Sequence, residues 1–329
     1  MRPPNQPLRL LPGFAGLLAA LVVAASCTAG ATPSASEIGQ GVATTTALPS
    51  ADGPIPAIGG EPIPVLGTEN FYADLLAEIG GARVRASSLL NNPNTDPHAY
   101  EASPQAALAV ADARVVIVNG LGYDDFMAHL LAASPDASRV VLIVQQLLGL
   151  PDTANAHVWY DPTTMPIVAR AAEAALARIE PGNAAYFEAR LATYLASLET
   201  LTARVAQLRA AHAGTPVAFT EPVAGYLAQA IGLRVLTPEG FQRAVENGTD
   251  PAPADVAAEQ DLLTGRKVRV LLYNSQAVSP LTTRLEQLAT ANGIPVVGVT
   301  ETMPPAYRTY VAWQLAQLDE LERALSEGA

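Results

Sequence analysis

NAAYFEARLATYLASLETLTARVAQLRAAH, residues 183–212, runs for thirty residues without a glycine or proline. Tyr186, Leu191, Leu195, Leu198 and Leu201 recur at helical spacing, and Asn183 stands where an N-cap is expected. A single helix of this length is unusual in a globular domain, where three or four turns are the norm. Its meaning depends on what it separates.

On its N-terminal side the chain alternates short apolar runs with amphipathic ones. IPVLGTENFYADLLAEIGG (63–81) is a β-prone run followed by a helix that ends on paired glycines. VRASSLL (84–90), RVVIVNG (114–120) and RVVLIVQQ (139–146) read as strands. SPQAALAVADA (103–113), YDDFMAHLLAAS (123–134) and a segment spanning 163–179 read as helices. On the C-terminal side TPVAFTEP (215–222), LRVLTPEG (233–240), KVRVLLYNSQ (267–276) and IPVVGVTE (294–301) are strand-like, VAGYLAQAIG (223–232) and LTTRLEQLATANG (281–293) are helical, and a last amphipathic helix covers about 307–325. This is the pattern of parallel sheets covered on both faces. We therefore expect an α/β fold of two lobes of parallel βα units, 62–182 and 213–329, joined by one long spanning helix, 183–212. The residues show no internal repeat beyond the alternation, and no P-loop, nucleophile-elbow serine or CxxC.

Arg2 and Arg9 precede the uncharged apolar run LLPGFAGLLAALVVAAS, which ends at Cys27, the only cysteine. A Thr/Ser/Ala/Gly/Pro tract follows with no basic stop-transfer cluster, so residues 1–26 read as a cleaved export signal and 27–61 as a flexible tether. VAAS before Cys27 resembles a bacterial lipobox, which implies a lipidated cysteine and an extracytoplasmic protein anchored to the cell membrane. A lone cysteine excludes a disulfide within the chain. Loss of residues 1–26 removes two arginines and no acid, which takes the net charge from −12 to −14. Such a surface repels nucleic acid and favours a small cation as partner.

Four side chains that donate lone pairs to divalent metals sit where strands are expected to give way to loops: His98 after NPNTDP, His157 opening HVWYDP, Glu221 in FTEP and Glu301 in GVTET. In open α/β sheets that edge faces the ligand crevice. The segments TENFYADL, NPNTDPHAYEASP, ADARVVIVNGLGYDDFM, HVWYDP, TEPVAGYLAQAIG, VLLYNSQ and GIPVVGVTE resemble the metal-binding solute-binding proteins of zinc/manganese ABC importers, the family often called cluster A-I. The resemblance runs from about residue 63 to the C-terminus and is most specific in NPNTDPH and HVWYDP. It implies one metal at the lobe interface, with His98 and His157 from the first lobe and Glu221 from the second. Glu301 occupies the fourth place after a small shift, where the family commonly has an aspartate.

Two imidazoles and two carboxylates form a hard donor set that suits Mn(II), with Zn(II) close behind and Fe(II) a third candidate. The expected partner is an ABC importer permease in the membrane, with the protein acting as a monomer and not as an enzyme. Two readings compete: a zinc-dependent hydrolase, which needs an open coordination position, and a surface adhesin with an incidental metal. His129 and His212 read as surface residues, the tyrosines and Trp159 as packing, and Asp161 either as a support behind His157 or as a helix cap. Both ligand histidines are expected to matter for metal and little for either core.

Overall fold

The computed structural model describes residues 59–92 and 100–327. The export signal, Cys27, nearly all of the tether and His98 lie outside them.

The central strands are buried on both faces, as their unbroken apolar runs require: VVIV in β3 and LLYN in β7 are covered at every position. The first lobe runs β1 (Ile63–Glu69), α1 (Asn70–Gly80), β2 (Val84–Leu90), α2 (Pro104–Asp112), β3 (Val115–Val118), α3 (Phe126–Ala133), β4 (Val140–Ile143), α4 (Val144–Leu148) and α5 (Thr164–Ile179). After the spanning helix α6 (Ala184–His212), the second runs β5 (Pro216–Phe219), α7 (Gly225–Ile231), β6 (Arg234–Val235), α8 (Glu239–Glu246), α9 (Pro253–Thr264), β7 (Leu271–Asn274), α10 (Pro280–Ala291), β8 (Val296–Val299) and α11 (Tyr310–Glu327). All strand pairs are parallel.

The two sheets have the same strand order, β2-β1-β3-β4 and β6-β5-β7-β8. In each, the chain direction of travel reverses between the first and third strands, which makes the β1/β3 and β5/β7 edges topological switch points. The registers agree as well. Gly67 pairs with Ile117 and Phe219 with Leu272, so continuing each ladder by two residues sets Glu69 beside Asn119 and Glu221 beside Asn274. PVLGTEN (64–70) and PVAFTEP (216–222) thus occupy equivalent places in the two sheets, a correspondence of register that the residues alone do not display.

The 29-residue α6 spans about 43 Å at 1.5 Å per residue. Its buried residues, Phe187, Leu191, Tyr194, Leu198, Leu201, Val205 and Leu208, alternate steps of four and three, which draws one narrow stripe along the helix. That stripe packs on α1 and α5 of the first lobe and on α7 and α11 of the second. One apolar core consequently runs through both lobes, with a smaller core on the outer side of each sheet. At its middle Phe71 of α1 lies 4.8 Å from Trp159 and 5.9 Å from Trp313 of α11, ring centre to ring centre.

Three local expectations need correction. RVVLIVQQ is a strand only to Ile143, because an apolar run does not by itself distinguish strand from buried helix, and VQQLL closes as a helical turn ending on Gly149 in the left-handed region. Asn183 makes no side-chain cap; its amide donates to Glu180 at 2.8 Å, and a 3-10 turn, Pro181–Asn183, leads into α6. The last helix begins at Tyr310 because the Asp74 carboxylate of α1 accepts the Tyr310 N–H at 2.8 Å and fixes its start.

Candidate metal centre

Glu221 and Glu301 each follow a strand by two residues, β5 and β8, at the carboxyl edge of the second sheet. His157 arrives differently. It lies beyond α4, at the entry to the 3-10 turn Val158–Tyr160, so its place is set by a loop and not by a strand end. All three side chains are buried, His157 and Glu301 completely.

His157 and Glu301 meet across the lobe interface, Nε2 to Oε2, at 3.3 Å. On the other side of the ring Asn155 Oδ1 lies 2.8 Å from Nδ1 and also accepts the His157 backbone N–H at 2.9 Å. The Asn155 amide is oriented by its own donation to the Pro222 carbonyl at 2.7 Å, so its oxygen faces the ring, Nδ1 carries the hydrogen, and the Nε2 lone pair points at Glu301. The Glu246 carboxylate of α8 stands farther from Nδ1, at 3.7 Å. Two electron-pair donors facing each other at Nε2 and Oε2 require a proton or a metal ion between them.

Asn274 joins the two carboxylates. Its Nδ2 donates to Glu221 Oε2 at 2.5 Å and to Glu301 Oε1 at 2.7 Å, while its Oδ1 accepts the Gln276 N–H at 3.0 Å, which settles the direction of the amide. Gln276 Oε1 accepts the backbone N–H groups of Glu301 and Thr302, at 2.6 and 2.9 Å, and its Nε2 reaches the Asn92 carbonyl of the first lobe at 3.4 Å. Tyr123 donates its hydroxyl to Glu301 Oε2 at 3.0 Å. The two buried carboxylates thus share one neutral amide donor, and Glu301 also faces the His157 imidazole. The contacts are pairwise: among the described residues, no three His, Cys, Asp or Glu side chains already converge as a metal site.

Sequence reasoning passed over Asn155, Asn274, Gln276 and Tyr123. Their signal was position: Asn155 sits two residues before His157, and Asn274 ends a central strand at the switch point. Asp161, weighed as a support for His157, instead accepts from the N–H and hydroxyl of Thr163, both at 2.8 Å, ahead of α5. The tyrosines do more than pack, since Tyr160 donates to the Thr300 carbonyl and Tyr310 to that of Trp159, each link crossing between lobes. His157, expected to matter little to a core, packs edge-on to Trp159 and Tyr123 with ring centres at 5.2 and 5.8 Å.

Two clefts flank this cluster. One, of about 480 Å³, is lined by Tyr123, Asn155, Pro222 and Glu246; the other, of about 440 Å³, by Glu221, Gln276 and the 248–251 loop.

Two parallel βα lobes with the same strand order, a shared spanning helix and a buried polar crevice at facing switch points define a two-lobed α/β ligand-binding protein. The model of the family described as ZnuA, zinc-uptake complex component A, periplasmic, matches residues 65–324, and the chain belongs to that family. Among curated relatives it is 27% identical over 146 residues to the manganese-binding lipoprotein MntA of Halalkalibacterium halodurans, which covers 43% of this chain and 48% of that protein. It is 27% identical over 199 residues to the zinc-binding protein TroA of Treponema pallidum, 58% of this chain and 64% of that one, so the matches span about half to two thirds of these relatives. The solved structure of TroA shares the fold with a TM-score of 0.69 at 23% identity, covering 81% of this chain and 99% of that chain. The Pseudomonas aeruginosa protein FpvC, in complex with Ni²⁺, does so with a TM-score of 0.67 at 20% identity, covering 82% and 98%. No helix among the described residues is long and apolar enough to cross a membrane.

Proposed function

We propose that the chain is the extracytoplasmic solute-binding component of an ABC importer for a divalent transition metal. His98 and His157 of the first lobe and Glu221 and Glu301 of the second clamp the ion, which the protein carries to the permease as cargo. The observation that carries this reading is the 3.3 Å approach of His157 Nε2 to Glu301 Oε2 across the lobes, with Glu221 tied to Glu301 through Asn274. Spacing alone leaves Glu301 the weakest candidate; its contact with His157 favours a direct ligand.

Mn(II) suits the two-imidazole, two-carboxylate set, with Zn(II) next and Fe(II) third. The names of MntA and TroA, manganese-binding and zinc-binding, support the first two candidates without ranking them. Four protein donors leave no open position for activating water, so a carrier is favoured over a zinc-dependent hydrolase. The continuous core and the aromatic bridge Phe71–Trp159–Trp313 support small local adjustment on loading in place of a wide hinge swing.

Calorimetric titration of the monomeric protein with MnCl₂ and ZnCl₂ tests the reading. One ion per chain is expected, bound more weakly at pH 5.5 than at pH 7.5, because metal must displace protons from its imidazole and carboxylate donors. Absence of binding, or turnover of ester or phosphate substrates on adding zinc, would replace it.

The same proposal places residues 1–26 as the signal, Cys27 as the lipidated residue, 27–61 as the tether, and the lobes at 62–182 and 213–329 about the 183–212 helix. MntA, named a lipoprotein, supports the anchor. Mass spectrometry of the mature protein should find a diacylated N-terminal Cys27; an unmodified chain beginning elsewhere contradicts it.

A further inference from the structure

The matching strand register sets a buried carboxylate, which the four-ligand clamp does not use, at the carboxyl edge of the first sheet. Glu69 ends β1 as Glu221 follows β5, each after a threonine and each level with the strand-end asparagine of its neighbour, Asn119 or Asn274. In the second lobe Asn274 turns its amide onto Glu221. In the first, Asn119 turns away. Its Oδ1 accepts the Tyr72 hydroxyl at 2.8 Å and its Nδ2 donates to the Ala156 carbonyl at 2.9 Å. Glu69 is completely buried, and no other described residue donates a hydrogen bond to its carboxyl oxygens.

A buried carboxyl group with no donor is costly, and its retention asks for an explanation such as an absent ion. The surroundings identify the direction in which it is satisfied. Glu69 pairs in β1 with Leu90, from which the chain runs toward His98. The next residue, Asn70, exchanges two hydrogen bonds with the backbone of Met303, at 2.8 and 2.9 Å, just past Glu301. Tyr123, which binds Glu301, feels the field of Glu69. The chain next to Glu69 is therefore tied to the segment that follows Glu301, and Tyr123 lies between the two carboxylates in their electrostatic influence. Asp124, its acidic neighbour, is already occupied by the N–H groups of Asn119 and Gly120, both at 2.8 Å. Burial first, and then Asp124, hold the Glu69 carboxyl well above the usual carboxylate range.

We infer that Glu69 is a third carboxylate of the metal site, the first-lobe counterpart of Glu221, and that it biases the site toward an oxygen-favouring ion of higher coordination number. Zn(II) is satisfied by four donors, whereas Mn(II) accepts further hard oxygens. This rests on the carrier reading above. The test is Glu69→Gln, which keeps the shape and removes the charge, with MnCl₂ and ZnCl₂ as probes and the melting of metal-free protein as control. Mn²⁺ affinity should fall by about 10-fold or more, in the range of residues that tune a metal site, Zn²⁺ affinity should fall less, and the metal-free protein should melt no lower than wild type. Unchanged affinities overturn the inference, as does a loss for both ions that only follows a lower metal-free melting temperature. If Glu69→Gln does not fold, Glu69→Asp, which keeps the charge on a shorter arm, must still lower Mn²⁺ more than Zn²⁺ affinity. Wild-type protein that binds neither ion would instead sink the carrier reading.

Discussion

His157→Ala is expected to weaken metal binding by more than about 100-fold, beyond the 10–100-fold typical of a residue that only supports a ligand. The ring sets Nε2 against Glu301 Oε2 at 3.3 Å, and alanine removes that first-lobe nitrogen donor from the proposed clamp. Asn155→Ala should fall within about 10–100-fold, because it frees the tautomer and the 2.7 Å tie to Pro222 but leaves the ring in place. The ordering of these two variants separates a ligand from its support. His157 is also fully buried, so alanine should lower the stability of the metal-free protein by about 2–5 kcal/mol, as for other large buried side chains. His157→Gln, which preserves more of the volume, keeps the two effects apart. Calorimetric titration beside thermal melting with and without MnCl₂ measures both, and wild-type affinity in the alanine variant would remove His157 from the site.

A second large effect lies away from the metal. Glu259 on α9 is completely buried, and burial raises its carboxyl to about 7, against an opposing pull from the Thr237 hydroxyl. Its folded value stands above the unfolded one, so the neutral acid folds without penalty below the ordinary carboxylate range. Stability is then lost as pH rises toward about 7 and levels off above it. The displacement corresponds to roughly 3 kcal/mol, an order-of-magnitude figure. Glu259→Gln should accordingly raise the unfolding free energy at pH 8 by up to about that amount and change it little at pH 4. Urea unfolding of the metal-free protein at the two pH values decides this; equal shifts at both would show that ionisation of Glu259 is not the cause.

The alternation of strands and helices and the long α6 were legible because they rest on periodicity, and periodicity is what burial on one face or two faces writes into a chain. The correspondence of the two lobes was hidden because they share few residues at equivalent positions beyond the strand ends, where Thr68–Glu69 matches Thr220–Glu221 and Asn119 matches Asn274. Single matches of this kind acquire meaning only from register, which pairs residues distant in sequence. His157 was misplaced at a strand end because VVLIV is apolar throughout, and nothing local marks Ile143 as the last extended residue. Asn155, Asn274 and Gln276 escaped notice for a chemical reason. Neutral amides are ordinary loop residues until the carboxylates and imidazole they orient are brought beside them. His98, drawn from the most specific motif of all, lies outside the described residues, so its place in the clamp is part of the proposal.

The central claim is that one metal ion sits between the lobes with ligands from both. Anomalous diffraction from crystals grown with MnCl₂, recorded on either side of the manganese edge, addresses it directly. The account predicts one strong peak per chain in the crevice, bonded to His98 and His157 on one side and to Glu221 and Glu301 on the other. No peak there, or a peak whose protein ligands all come from a single lobe, would contradict it.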